Sequence, residues 1–184
     1  MSTATDREKT LLRRQLLQKM NSVSRDEIVR ASSVIERKVL EYVDRQGIKS
    51  VFIYLSFGNE IITDGIIEGL FKRNIKVSVP IIEGPEMKSV IYEAGDRLVL
   101  NPFGIREPVR RCYADDAELC LVPGIAFDRS LMRLGHGRGY YDRYLQGRRC
   151  MKIGLFGSWQ EYEKLPANQY DVVLDAIFTE NYTI

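Results

Sequence analysis

The run SVFIYL at residues 50–55 constrains the fold more than any other segment. It is short, uncharged and rich in β-branched and aromatic side chains, the pattern of a strand covered on both faces in a parallel sheet. Parallel neighbours cannot be joined by a tight turn and need a crossover, usually a helix. A helical stretch around 63–73 supplies it, followed by a second short strand, KVSVP at 76–80. The segment therefore reads as a β-α-β unit. Further strands are expected near 87–92 (MKSVIY), 118–122 (ELCLV) and 151–156 (MKIGLF), with a helix from about Tyr140 and a last strand at 172–178 (VVLDAIF).

Two helices precede this unit. Thr5-Asp6-Arg7-Glu8 and Ser24-Arg25-Asp26-Glu27 both fit the capping box, in which a hydroxyl and a carboxylate each satisfy an unpaired backbone donor, so helices should start near 6 and 25. The second carries Ile28, Ala31, Ile35, Val39 and Tyr42 at mostly helical spacing and should stop at Gly47. The whole reads as an α/β chain: a single three-layer domain, Rossmann-like, with a mainly parallel sheet flanked by helices. Ligands of such sheets sit beyond the carboxyl ends of the strands. Three loops leaving strand ends are therefore candidates for the site: 56–62, 123–139 and 157–171.

Composition excludes several classes. With 184 residues, 45% of them hydrophobic, the chain can bury one substantial core. Lys and Arg number 27 against 25 acidic residues, a net charge of +2, which argues against a duplex-binding protein yet permits a local basic pocket for a phosphorylated small molecule. Cys112, Cys120 and Cys150 are odd in number without CxxC spacing, and His136 is the single histidine; neither a disulfide framework nor a zinc site is indicated. With no apolar leader and no run approaching a membrane span, a soluble, cytoplasmic protein is expected.

The stretch RLGHGRGYYDRYL, residues 133–145, runs from a strand into a helix, so its glycines at 135, 137 and 139 could let an anion approach the main chain. It matches neither the P-loop nor GxGxxG, because Tyr140 holds the sixth position, and by itself it reads equally as a turn. Arg133, Arg138 and Arg143 favour phosphate. Asp142 could complement the helix dipole or bind Mg²⁺, with Asp171 as partner; a surface role is the alternative for each. Lys9 and Arg13 lie on one face of the first helix, anchored by Leu11, Leu12 and Leu16, and form either a solvated basic face or a phosphate clamp. Glu60 follows a strand end. Phe57, Phe103, Tyr140 and Tyr141 could stack on a flat heterocycle or simply pack. His136 reads as a loop or ligand-contact residue, without a triad partner.

Together these pieces resemble the 5-formyltetrahydrofolate cyclo-ligase family from end to end. KTLLR, YLSFGNEIIT, NPFGIREP, PGIAFD, RLGHGRGYYDRYL and LPANQYDVVLDAIFTE follow the family's order and spacing. The resemblance implies a sheet similar to that of sugar-phosphate isomerases and CoA transferases. It implies that Lys9 and Arg13 contact ATP phosphates and that the stretch Arg133, Leu134, Gly135, His136, Gly137, Arg138, Gly139, Tyr140 and Tyr141 forms the nucleotide loop. Leu55, Glu60 and Phe103, with His136 to Tyr140, would contact the folate, and Asp142 and Asp171 would hold magnesium. Arg133, Arg138 and Tyr140 are the catalytic candidates. Leu131 stands where the family usually has glycine, which bears on the turn leading into the loop.

The implied reaction converts 5-formyltetrahydrofolate, with or without a polyglutamate tail, and ATP to 5,10-methenyltetrahydrofolate, ADP and phosphate through a phosphorylated formyl group. Phosphoryl transfer depends on alignment and charge neutralisation, in keeping with a chain that shows no nucleophilic triad. A monomer with no nucleic-acid or membrane partner is expected. Two other functions stay open: a sugar-phosphate isomerase or acyl-CoA-type enzyme on a similar sheet, and a noncatalytic folate- or nucleotide-binding protein.

Overall fold

A computed structural model describes residues 4–114 and 117–184. Its elements in chain order are α1 (Ala4–Met20), α2 (Arg25–Gln46), β1 (Ser50–Ile53), α3 (Asp64–Lys72), β2 (Lys76–Glu83), β3 (Glu86–Ile91), β4 (Leu98–Leu100), β5 (Arg106–Pro108), β6 (Leu119–Val122), β7 (Ala126–Phe127), β8 (Arg133–Leu134), α4 (Tyr140–Leu145), β9 (Met151–Leu155) and β10 (Ala176–Phe178). The central sheet runs β10-β9-β6-β1-β2-β3, parallel throughout except for β3, which turns back on β2. Val51 sits level with Val77 on one side and with Leu119 on the other. Among the described residues no helix is long and apolar enough to cross a membrane.

Strand alternation divides the core. Val51 and Ile53 point to one face, where Ile35 and Val39 of α2 and Ile66 and Leu70 of α3 cover them. Phe52, between them in sequence, points the other way and packs with Cys120, Phe127, Phe156 and the α4 residues Tyr144 and Leu145. Its ring stacks on Tyr144 at 4.6 Å between centroids. Both faces of β1 are thus buried, as its uncharged sequence requires.

Ser24 caps α2, accepting the Glu27 amide at 3.2 Å, and Gly47 closes the helix in the left-handed conformation at φ 66°. The expected box at Thr5 does not form, because α1 already includes Ala4 and Thr5 is helical. Leu12 and Leu16 seat α1 against Ala126, Leu134 and Leu165; Leu11 points outward, 67% exposed, since it is a step off that stripe. The KVSVP strand continues to Glu83 and forms a hairpin with β3 around Gly84. The 123–139 segment is no plain loop but carries the β7–β8 ribbon. The last strand is only Ala176–Phe178. Its expected first residues bond elsewhere: the Val172 amide donates to Asp142, and the Leu174 amide to the Leu131 carbonyl.

Leu131 adopts φ 65°, a left-handed conformation that costs a non-glycine residue about 1–2 kcal/mol. Asp128 holds the turn: one carboxylate oxygen accepts from the Ser130 and Met132 amides and the Ser130 hydroxyl, and the other accepts from the Leu165 amide. The turn that glycine forms without strain is therefore kept, pinned by a buried aspartate.

One buried hydroxyl ties α2 to the loop after β1. Ser32 Oγ donates to the Ile28 carbonyl and accepts the Ile62 amide at 2.9 Å. Ser32→Ala would leave that amide without a partner and is expected to lower stability by about 1–3 kcal/mol, measured by urea unfolding.

Candidate functional site

The cavity lies where the sheet order reverses. Strand β2 is placed on one side of β1 and β6 on the other, so the segments leaving the carboxyl ends of β1 and β6 diverge and leave a crevice between them. It encloses about 620 Å³, a size that suits a drug-sized ligand or cofactor.

The wall from β1 is a closed loop. Thr63 is fully buried; its hydroxyl donates to the Tyr54 carbonyl and accepts the Ser56 amide, while the Thr63 amide donates to Ser56 Oγ. Within the loop Glu60 Oε2 accepts the Phe57 amide at 3.1 Å, which turns the carboxylate inward, 7% exposed. Its Oε1 lies 3.8 Å from His136 Nε2, and the His136 ring sits 5.8 Å from that of Phe57. Burial raises the Glu60 pKa above its ordinary 4.5, and the contacts with His136 and the Phe57 amide act in the opposite direction.

A second wall is the β4–β5 hairpin. Asn101 Oδ1 accepts the Phe103 and Ile105 amides, forming the tip where Phe103 stands 48% exposed beneath the Arg138 guanidinium, 5.5 Å from its ring centre. Glu107 accepts from Asn101 Nδ2 and the Ile82 amide, both at 2.9 Å. Arg106 grips Asp64 with two bonds, 2.7 and 3.0 Å. The hairpin is therefore fastened to β2 and α3.

The third wall is the glycine loop. Gly137 and Gly139 need their glycines, at φ 95° and 66°, and a Cβ on Gly137 would stand 3.2 Å from the Arg13 guanidinium carbon. What approaches the bare backbone here is an arginine, which also donates from Nε to the Gly135 carbonyl at 2.8 Å. Arg133, 8% exposed, donates to Asp142 at 2.9 Å and lies over Tyr141; its Nε is buried without an acceptor. Arg143 lies over Tyr140. Lys9 pairs with Asp171, and Asp171 also accepts the Asn168 amide at 2.6 Å. Burial pulls the Arg13 pKa down, while Asp171, Asp142 and Asp6 raise it; a guanidinium stays cationic at neutral pH even so.

The cavity is lined by Lys9, Arg13, Leu55, Glu60, Phe103, Asp171 and every residue from Arg133 to Asp142. The structure thus gathers in one place all the positions to which the resemblance gives a role. It adds residues the sequence did not single out. Asp6 shares a helical face with Lys9 and Arg13, a spacing already present in the sequence. Ile82 and Met87 line the cavity through the β2–β3 register, and Asn168 through its bond to Asp171; neither arrangement has a local sequence signal.

Among the described residues no group of three or more metal-binding side chains occurs. Asp142 and Asp171 are two carboxylates on one cavity, a donor set that suits Mg²⁺ when phosphate oxygens complete the shell.

An open, mainly parallel sheet with its cavity at the switch point, lined by cationic and aromatic side chains together, defines a small-molecule α/β enzyme class. The model of the 5-formyltetrahydrofolate cyclo-ligase family matches residues 5–180. A probable 5-formyltetrahydrofolate cyclo-ligase of Schizosaccharomyces pombe is 33% identical over 80% of this chain and 72% of its own length. The mouse 5-formyltetrahydrofolate cyclo-ligase is 28% identical, covering 92% of each chain. The solved structure of Aquifex aeolicus 5,10-methenyltetrahydrofolate synthetase superposes with a TM-score of 0.85 at 30% identity, covering 95% of this chain and 91% of that one. The chain belongs to the 5-formyltetrahydrofolate cyclo-ligase family, and it is an enzyme.

The raised Glu60 pKa sets a pH dependence. Between the ordinary 4.5 and its value in the folded protein, the native state holds a proton that the unfolded chain has released, so stability falls as pH rises through that window. Glu60→Gln removes this dependence. Its stability relative to wild type should be greater at pH 7 than at pH 4, as read from urea unfolding at the two pH values.

Proposed function

We propose that the enzyme cyclises 5-formyltetrahydrofolate to 5,10-methenyltetrahydrofolate with ATP and Mg²⁺, releasing ADP and phosphate. The observation that carries this reading is the division of one cavity into two chemistries. Lys9, Arg13 and Arg133 supply the cations; Leu55, Phe57, Ile82, Met87 and Phe103 line the same cavity, as does the buried Glu60.

The chemistry explains why both sets of side chains are needed. Ring closure requires N10 to attack the formyl carbon and the formyl oxygen to depart, and that oxygen is a poor leaving group. The formyl oxygen first attacks the γ-phosphorus, with ADP leaving. N10 then adds to the activated carbon, loses its proton, and the carbon–oxygen bond breaks to release phosphate. Such a sequence needs alignment and neutralised charge and no covalent nucleophile.

In this reading Lys9 and Arg13, on consecutive turns of α1, hold the phosphates with the 133–141 loop. The buried Arg133 aims its unpaired Nε at a phosphate oxygen. Asp142 and Asp171 would hold Mg²⁺, which supplies charge neutralisation of the transferring phosphoryl group. Glu60 accepts N–H donors from the edge of the pterin, and Phe57, Phe103 and Tyr140 offer faces for its ring. Arg138 and Tyr140 close the cavity where the two ligands meet.

Incubation with 5-formyltetrahydrofolate, ATP and Mg²⁺, followed by the methenyl product's ultraviolet absorbance, should give product that disappears when any one component is omitted. No product in the complete mixture overturns the reading. Glu60→Gln should raise KM for the folate about tenfold or more, as expected for loss of a charged acceptor worth about 1.5–3 kcal/mol, while KM for ATP changes less; steady-state kinetics with each substrate varied in turn checks this.

A further inference from the structure

Beside α1 the cavity sets three cations against three carboxylates, with Arg138 and Arg143 as further cations on the same lining. Lys9, Arg13 and Arg133 face Asp6, Asp142 and Asp171, and all six line the same space. The groups are also engaged with one another. Lys9, 6% exposed, is bonded to Asp171, and Arg133 is bonded to Asp142. A polyanion arriving alone would find Lys9 and one Arg133 nitrogen already bonded to carboxylates.

The carboxylates have anchors that do not depend on those cations. Asp171 accepts the Asn168 amide at 2.6 Å, and Asp142 accepts the Val172 amide at 3.3 Å. Both donors belong to the backbone of the closing segment, so either carboxylate can lose its cation and stay in place. On the other side of the exchange, Arg133 keeps a buried Nε with no acceptor, a donor that its bond to Asp142 does not satisfy.

We propose that Asp142 and Asp171 act as a charge-exchange lock that makes nucleotide binding depend on the metal. In the free protein they hold Arg133 and Lys9; a divalent cation takes over the carboxylates, and the released ammonium and guanidinium turn to the phosphates. This rests on the nucleotide reading of the preceding section. Metal and nucleotide each raise the affinity for the other by the same factor, because the coupling is a property of the shared site. Removing either charge also lessens its repulsion of the phosphates, so the lock is marked by the cation it frees: with Lys9 already replaced by Ala, Asp171→Asn should gain far less metal-free affinity than it does in the wild-type background.

Calorimetric titration of ATP into the full chain, in excess EDTA and in excess Mg²⁺, separates these outcomes. Asp171→Asn keeps an amide oxygen for the Asn168 N–H but loses the charge that holds Lys9, and Asp142→Asn does the same for the Val172 N–H and Arg133. Wild type should bind ATP about tenfold or more weakly in EDTA than in Mg²⁺, and each variant should bind metal-free ATP about tenfold more tightly than wild type, with a smaller gain from Mg²⁺. Metal-free affinity in a variant equal to or below that of wild type, at an unchanged melting temperature, overturns the lock. The wild-type protein is an arm that no folding defect reaches: equal affinities in EDTA and Mg²⁺ overturn it as well. A wild-type chain that binds ATP under neither condition fails differently, removing the nucleotide reading on which the lock rests.

Discussion

Strand β1 has a parallel partner on each side, and the rest of the architecture follows from that. A strand so placed has both faces and both edges occupied, and its sequence can afford no charge between Val51 and Leu55. The one open direction is past its carboxyl end. There the chain turns away toward α3, while the segment after β6 turns the other way, and the gap between them is the cavity. Backbone groups at that edge have lost their ladder partners, and buried side chains replace them. Thr63 serves the Tyr54 carbonyl and the Ser56 amide; Gln160 donates to the Gly124 and Ile125 carbonyls beyond β6. A crevice in a sheet is stable only when such groups are satisfied.

The two ends of the cavity handle charge by different means. At the glycine-loop end Lys9, Arg13 and Arg133 stand against Asp6, Asp142 and Asp171, so most of the buried charge is offset, with Arg138 and Arg143 as further cations on the lining. At the β1 end Glu60 is buried against Tyr54 and Tyr141 with one amide and one imidazole for support. Its cost appears as a raised pKa, and a donor-rich ligand edge would relieve it. His136 belongs to the glycine loop yet reaches Glu60, so the loop assigned to phosphate also touches the group assigned to folate.

The layering was legible because it rests on local chemistry. The buried run at 50–55, the Ser24 cap and the left-handed Gly47 each carry their own signal. What stayed hidden depends on distant partners. Val172 and Val173 look like strand residues, but the Val172 amide goes to Asp142, and the strand starts only at Ala176. Leu131 looks unsuited to a tight turn until Asp128 is seen to accept three bonds around it on one oxygen. The fastening of the β4–β5 hairpin by Glu107 and Arg106 joins residues far apart in sequence. For the site itself, the motifs marked the positions, while the pairing of each aspartate with a basic residue appears only in three dimensions.

That pairing bears on how the site is assembled. Helix α1 buries little apolar surface beyond Leu12, Leu16 and Met20, and three of its polar anchors lie in the cavity: Lys9 to Asp171, Arg13 to Gly135 and Asp6 to Asn168. Each joins the helix to a residue more than 100 positions away. The glycine at 137 has its role here, since a side chain there would push the Arg13 guanidinium aside. Docking the helix and completing the cationic end of the site are therefore one event. A ligand that binds those cations stabilises the docked helix by mass action on the folded form, its own contacts taking the place of the Lys9–Asp171 bond.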